Sequence, residues 1–212
     1  NYGGSITRSL TLMGKDASIT AEYYRTDFQN QLIVDVDAKL TEARFYNLEG
    51  RSYANNVQVE MGFEPIRRLE MTAAYRFTDV KTTINGVLDT KPFVNRYKGL
   101  LSGSYASRNN RWQFDLTAQF NGPSRIPSTD MLPEALRMPE SSPAHTILHG
   151  QVTYSLRAFD LYLGGENLTN FRQMNPIIAS AEPFGEYFDG SMIWGPILGR
   201  MFYLGLRYAI DR

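Results

Sequence analysis

The chain has 212 residues, 42% of them hydrophobic, with 22 basic and 22 acidic residues that cancel and no cysteine. Balanced charge without a long basic run removes the electrostatic footprint of a nucleic-acid binder, and the missing thiols remove disulfides, Cys-ligated zinc and thiol catalysis. No apolar run reaches the roughly 18 residues that a membrane-spanning helix needs, whereas the strands of a membrane barrel need only about ten alternating residues each.

Alternation of apolar and polar residues marks a strand with one face of each kind, and it recurs in nine segments. Ile6 to Met13 and Ala17 to Tyr24 come first, the second with an extension toward Val34. Val57, Val59, Met61 and Phe63 then oppose Asn56, Gln58, Glu60 and Gly62, and Leu69, Met71, Ala73, Tyr75 and Phe77 oppose Glu70, Thr72, Ala74, Arg76 and Thr78. Tyr97 to Ser107 is a weaker case. In Arg111 to Gly122 the pattern is strict: Trp112, Phe114, Leu116, Ala118 and Phe120 share one side, Gln113, Asp115, Thr117, Gln119 and Asn121 the other. Leu148 to Leu156, Phe159 to Gly164 and Met201 to Ile210 complete the series. Helical signals are confined to a short piece around Pro133 to Met138, so the chain reads as all-β.

The connectors alternate in length. Short turns fall at Gly14 to Asp16, Glu64 to Arg68, Arg108 to Arg111 and Arg157 to Ala158, and long stretches at about 35 to 50, 81 to 95, 121 to 146 and 167 to 199. In an up-and-down meander every second connector lies at the same rim, so all the long ones share one side, as in outer-membrane barrels. Phe63, Tyr105, Trp112, Tyr154, Phe159 and Tyr208 sit on apolar faces close to a short turn or to the C-terminus. That places them at one depth, as in an interfacial aromatic girdle. A soluble sandwich shows the same alternation but has no reason to gather its aromatics at one end. The polar faces carry Glu22, Glu60, Glu70, Arg76, Lys98, Asp115, Glu166 and Arg207, which a wide, wet lumen accommodates and a small filled barrel does not. The expectation is an antiparallel transmembrane β-barrel. Single-chain bacterial barrels have even strand numbers, so nine strands and a start at Asn1 without a leader predict the C-terminal portion of a larger barrel.

Three stretches carry a family resemblance: "LGGENLTNFRQMNPI" from Leu163, "YFDGSMIWGPILGR" from Tyr187 and the closing "MFYLGLRYAI". They resemble the C-terminal strands of TonB-dependent outer-membrane receptors, with Glu166, Asn167, Leu168, Thr169 and Asn170 matching the family's turn motif and the second stretch its last extracellular loop. Tyr203, Gly205, Tyr208 and Ile210 fit the barrel-assembly signal of this class, although Asp211 and Arg212 follow where the family commonly stops. The resemblance implies that residues 1–212 are the C-terminal part of a single barrel domain, about nine of twenty-two strands, with the N-terminal plug and first strands lying outside this sequence. It further implies energised import of a scarce bulky nutrient such as a metal chelate, a cobalamin or a glycan, with no cofactor and no catalysis. The implied partners are the N-terminal remainder of the receptor, the TonB complex acting through it, the barrel-assembly machinery, outer-membrane lipid and a surface lipoprotein. The alternative is an outer-membrane barrel with a surface-binding or adhesive role. An outer-membrane enzyme stands third and would need a serine and histidine nucleophile pair, for which no arrangement is visible.

Among candidate binding residues, Arg172, Phe184, Tyr187, Phe188 and Trp194 belong to the last long loop and are of the types that anchor ligands. His145 and His149, four apart on a strand, stand about 13 Å from each other, too far to share one ion. Met131, Met138, Met174 and Met192, with His145 nearby, are types that suit a soft metal but more often fill irregular contacts. Asp35 to Lys39 has two carboxylates of a calcium loop but a lysine in place of the third ligand and no following glycine. Asn167 to Thr169 matches a glycosylation acceptor and is better read as part of the turn.

Overall fold

The computed structural model describes residues 1–39 and 42–210. Nine long antiparallel strands form its wall: β1 (Tyr2–Leu12), β2 (Lys15–Phe28), β5 (Ser52–Ile66), β6 (Leu69–Ile84), β8 (Tyr97–Ala106), β9 (Trp112–Asn121), β10 (His145–Leu156), β11 (Phe159–Glu166) and β12 (Met201–Tyr208). Each pairs with the next in that order, an up-and-down meander with no crossover. Short turns close one rim. Met13 and Gly14, at φ 54° and 76°, make a two-residue link between the paired Leu12 and Lys15, with the left-handed backbone that lets a tight hairpin follow the sheet's twist. Arg157, at φ 51°, serves the same purpose between Leu156 and Phe159.

The other rim carries the long segments, and these hold structure that alternation does not reveal. β2 stops at Phe28 instead of running on toward Val34. Leu32–Lys39 (β3) and Glu42–Asn47 (β4) form a separate two-stranded hairpin inside the first long loop. β6 continues past Phe77 to Ile84 and folds back through Asn85 and Gly86, at φ 50° and 79°, into β7 (Val87–Thr90). Asn-Gly is the strongest short hairpin signal, and it turns a stretch expected to be loop into a raised ribbon. The two hairpins meet where Asn85 Nδ2 donates to Asp35 Oδ2 at 2.9 Å; the side chains of 37–39 and residues 211–212 lie outside the described residues. Beside them burial raises the Tyr46 phenol above its ordinary pKa, and the Asp35 carboxylate adds to the shift. The expected helical piece is a single 3-10 turn, Glu134–Leu136.

Burial in the wall runs opposite to that of a water-soluble sheet. On β9, Phe114, Leu116 and Phe120 are exposed while Asp115, Thr117 and Gln119 on the other face are half-buried. A curved strip shields its concave side, so the polar face lines the inside and the apolar face is turned outward. The outward face continues through Leu161, Leu163, Leu204 and Leu206, all exposed, a contiguous apolar surface far beyond what a soluble monomer presents. The six buried apolar residues among those described are Ala17, Ile33 and a loop cluster of Ile126, Leu132, Ile178 and Met192. The strip therefore has no interior core of its own; its apolar face is satisfied by lipid.

The aromatic girdle assembles as expected on this outer face. Near the short turns Trp112 meets Tyr154 at 4.7 Å and Phe114 at 6.3 Å, Tyr105 meets Phe114 at 6.4 Å, and Phe159 meets Tyr208 at 4.8 Å between ring centres. Toward the opposite rim Tyr75 and Tyr97 stack at 6.1 Å, marking the second interface. On the inner face hydroxyls and amides pair across strands: Thr7 with Thr20 and Ser102 with Thr117, each at 3.0 Å, and Tyr203 to Gln151 at 3.0 Å.

Candidate functional site

The long-loop rim is organised around the Glu166 to Asn170 turn. Asn167 is buried, sits at φ 49°, and uses its whole side chain. Nδ2 donates to Phe171 O (2.8 Å) and Leu198 O (3.1 Å), while Oδ1 accepts from Thr169 Oγ1 and from Phe171 N, both at 3.1 Å. Leu168 N and Thr169 Oγ1 tie the turn sideways to β10 through Leu148 O (2.7 Å) and Thr146 O (2.9 Å), and Asn170 Oδ1 accepts from Arg200 N at 3.0 Å. The motif thus fastens both ends of the last loop to the wall. It acts as a clamp.

Gln173 extends the clamp into the loop and carried no signal in the sequence. It is buried; Nε2 donates to Met192 O (2.7 Å), and Oε1 accepts from Trp194 N (2.8 Å) and Gly195 N (3.1 Å). Trp194 is held where it meets Phe171 at 6.1 Å and His145 at 5.9 Å, and His145 lies flat on Phe171 at 4.3 Å. Of these rings Trp194 packs against the loop core of Ile126, Leu132, Ile178 and Met192, which joins the β9–β10 loop to the last one.

A cavity of about 630 Å³ opens between the same two loops, lined among others by Phe171, Trp194, Met138, Met174 and Ile177. Its charged lining residues are Arg137 and Arg172, and no carboxylate contributes. Of the five candidate binding residues the structure brings Arg172 and Trp194 to this cavity. Phe184, Tyr187 and Phe188 belong to the same loop but do not line it, and Phe184 is fully exposed. Of the four loop methionines, Met192 is in the loop core, Met138 packs against that core and lines the cavity together with Met174, and Met131 is exposed. Among the described residues no cluster of His, Asp or Glu is arranged to hold a metal ion. A second cavity, of about 920 Å³, lies between β6, the 89–96 segment and the β9–β10 loop, and mixes Lys81, Arg96 and Arg125 with Asp79, Asp130 and Glu140.

A meandering strip with an outward apolar face between two aromatic belts, a polar inner face and one rim of clamped loops is the wall of a transmembrane β-barrel receptor. The family model described as TonB dependent receptor-like, beta-barrel matches residues 5–168, and the chain belongs to that family. Its members are transporters of the Gram-negative outer membrane, not enzymes. Solved structures share the fold: the ferric-catecholate import receptor Fiu of E. coli K12, in its closed form, at 16% identity with a TM-score of 0.62, over 96% of this chain and 27% of that one. The ferric enterobactin receptor PfeA of Pseudomonas aeruginosa matches at 14% identity and a TM-score of 0.64, over 96% and 30%. The ferric preacinetobactin receptor BauA of Acinetobacter baumannii matches at 13% and 0.54, over 96% and 28%. The chain thus spans less than a third of the length of these receptors. Among curated proteins none matches.

Proposed function

We propose that residues 1–212 form the C-terminal barrel wall and surface loops of a TonB-dependent outer-membrane transporter that imports a metal chelate. The carrying observation is the combination of a lipid-facing outer surface with a clamped loop rim that encloses an aromatic, cationic cavity, in a chain of this receptor family. Ferric chelates are what the neighbouring receptors are named for. In this reading the preceding sequence supplies the remaining strands, to about twenty-two, together with the plug through which TonB acts. The wall is passive. Arg172 and Trp194 grip substrate from within the cavity, while Phe184, Tyr187 and Phe188 reach it from the exposed part of the same loop.

The test is uptake of radiolabelled ferric chelates by cells whose only chelate receptor is the full-length protein, with and without functional TonB. Accumulation that requires both the receptor and TonB supports the proposal. Equal accumulation without TonB, or none for any metal chelate, overturns it.

A further inference from the structure

The outward face of β2, β5 and β6 does not end at the second aromatic belt. Their register aligns Tyr23, Val57 and Phe77 in one outward row, level with the belt residue Tyr97 opposite Phe77. The next outward row toward the long-loop rim is Arg25, Asn55 and Asp79, and the one after it is Asp27, Tyr53 and Lys81. The wall therefore changes from apolar to charged within one row, on its lipid side, at the depth where headgroups begin.

The cations of this band are held in place. Arg25 donates to Asp27 through Nε and Nη2, at 3.0 and 2.7 Å, and to Asn55 Oδ1 through Nη1 at 3.1 Å, with its guanidinium 4.5 Å from the Tyr53 ring centre. Arg51, exposed at the next outward position of β5, stands 6.0 Å from the same ring. Arg96, also exposed, stands 5.9 Å from the Phe77 ring. Both carboxylates of the band are engaged within it, Asp27 by Arg25 and Asp79 by Asn55 Nδ2 at 3.3 Å. Lys81 and Arg96 also line the 920 Å³ cavity, whose mixed charge includes Asp130 and Glu140.

We propose that this band seats the phosphorylated headgroup of an outer-leaflet glycolipid. Arg25, Arg51 and Lys81 take the phosphate oxygens, and the cavity bordering Lys81 and Arg96 takes sugar hydroxyls, with Asp130 and Glu140 as acceptors. Continuity fixes the occupant first: the band prolongs the surface that lipid covers, on the far side of the wall from the lumen. Charge fixes it further, because arginine and lysine beside engaged carboxylates favour an anionic headgroup over a zwitterionic one. A guanidinium already held over a ring loses little freedom when its N–H fork meets phosphate. The proposal is independent of what the receptor imports.

The full-length receptor in detergent is titrated with lipid A carrying both phosphates and with the same lipid A stripped of them, and bound lipid is counted by native mass spectrometry. Wild type is compared with Arg51→Gln/Lys81→Gln and with the inner-face variant Arg76→Gln, after unheated gel mobility has shown that each barrel is folded. Arg25 is left in place because it holds Asp27 and Asn55. The expected result is that wild type prefers the phosphorylated lipid about tenfold or more, that the double variant loses most of this preference and that Arg76→Gln keeps it. Equal binding of the two lipids by wild type overturns the proposal, as when another part of the receptor covers the band. A preference unchanged in the double variant, or lost equally in Arg76→Gln, also overturns it, since charge elsewhere then holds the lipid.

Discussion

Tyr162 lies over Gly205, and Tyr203 lies over Gly164, one strand pair exchanging two rings for two missing side chains. The register sets Tyr162 opposite Gly205 and Gly164 opposite Tyr203 on β11 and β12, with the rings edge to face at 6.3 Å. A Cβ at either glycine would collide with the facing ring. The same device recurs at Gly99 under Phe120 and Gly122 under Tyr97. Aromatic cover of a strand glycine pins register, which a wall without an inner core needs.

Gly205→Ala is expected to destabilise the folded barrel by about 1 to 3 kcal/mol, because Tyr162 must leave its place. Adding Tyr162→Ser to Gly205→Ala removes the collision and is expected to recover part of that loss, a coupling readable in denaturant titrations of vesicle-embedded protein. Strictly additive effects would show that Gly205 acts only within the assembly signal and not as a seat for Tyr162.

Leu116 and Thr117 face opposite solvents. Leu116→Arg places a charge against mid-bilayer lipid and is expected to cost about 2 to 4 kcal/mol of folding free energy in vesicles, whereas Thr117→Arg points into the lumen and is tolerated, losing only the Ser102 hydroxyl contact. Comparable losses would refute the assigned facing.

Asn167→Ala removes four side-chain hydrogen bonds that hold the last loop to the wall. The expected cost is about 1 to 3 kcal/mol, concentrated locally, so hydrogen exchange should accelerate at 168–173 and 198–200 while β9 and β10 keep their protection. Uniform acceleration throughout the sheet would contradict the clamp.

Phe184 makes no packing contact, so Phe184→Ala should leave stability within about 0.5 kcal/mol of wild type and lower only chelate affinity. Trp194→Ala should lower both, since the ring also supports Phe171 and His145. Calorimetric melting alongside chelate titration separates the two; a stability loss at Phe184 would be the contrary result.

The wall was readable in the sequence because a strand that divides two solvents must alternate, and Trp112 to Asn121 has no other way to satisfy lipid and water at once. One-sided loops and the aromatic belt were readable for the same reason, as both answer to the membrane. The rim was less legible. Leu32–Lys39 and Val87–Thr90 pair with Glu42–Asn47 and with β6 above the membrane, where two-sided solvation imposes no period, and the Asn85-Gly86 turn lies inside a stretch expected to be loop. Gln173 gave no sign because its role comes from Met192, Trp194 and Gly195, brought to it only by the folded loop.

The chain has no cysteine, so single cysteines report one site at a time within it. The most direct test of the lipid-facing wall is to place cysteines at Leu116, Leu161 and Leu204 and at Thr117 and Thr153 in the receptor in outer membranes. Each is then probed with a membrane-impermeant maleimide and, after fluorophore labelling of the unfolded protein and refolding, with a lipid-borne quencher. The account predicts quenching and resistance to the maleimide at the three leucine positions, and the reverse at the two threonines. Equal maleimide labelling of both sets, with no lipid quenching at either, would contradict it.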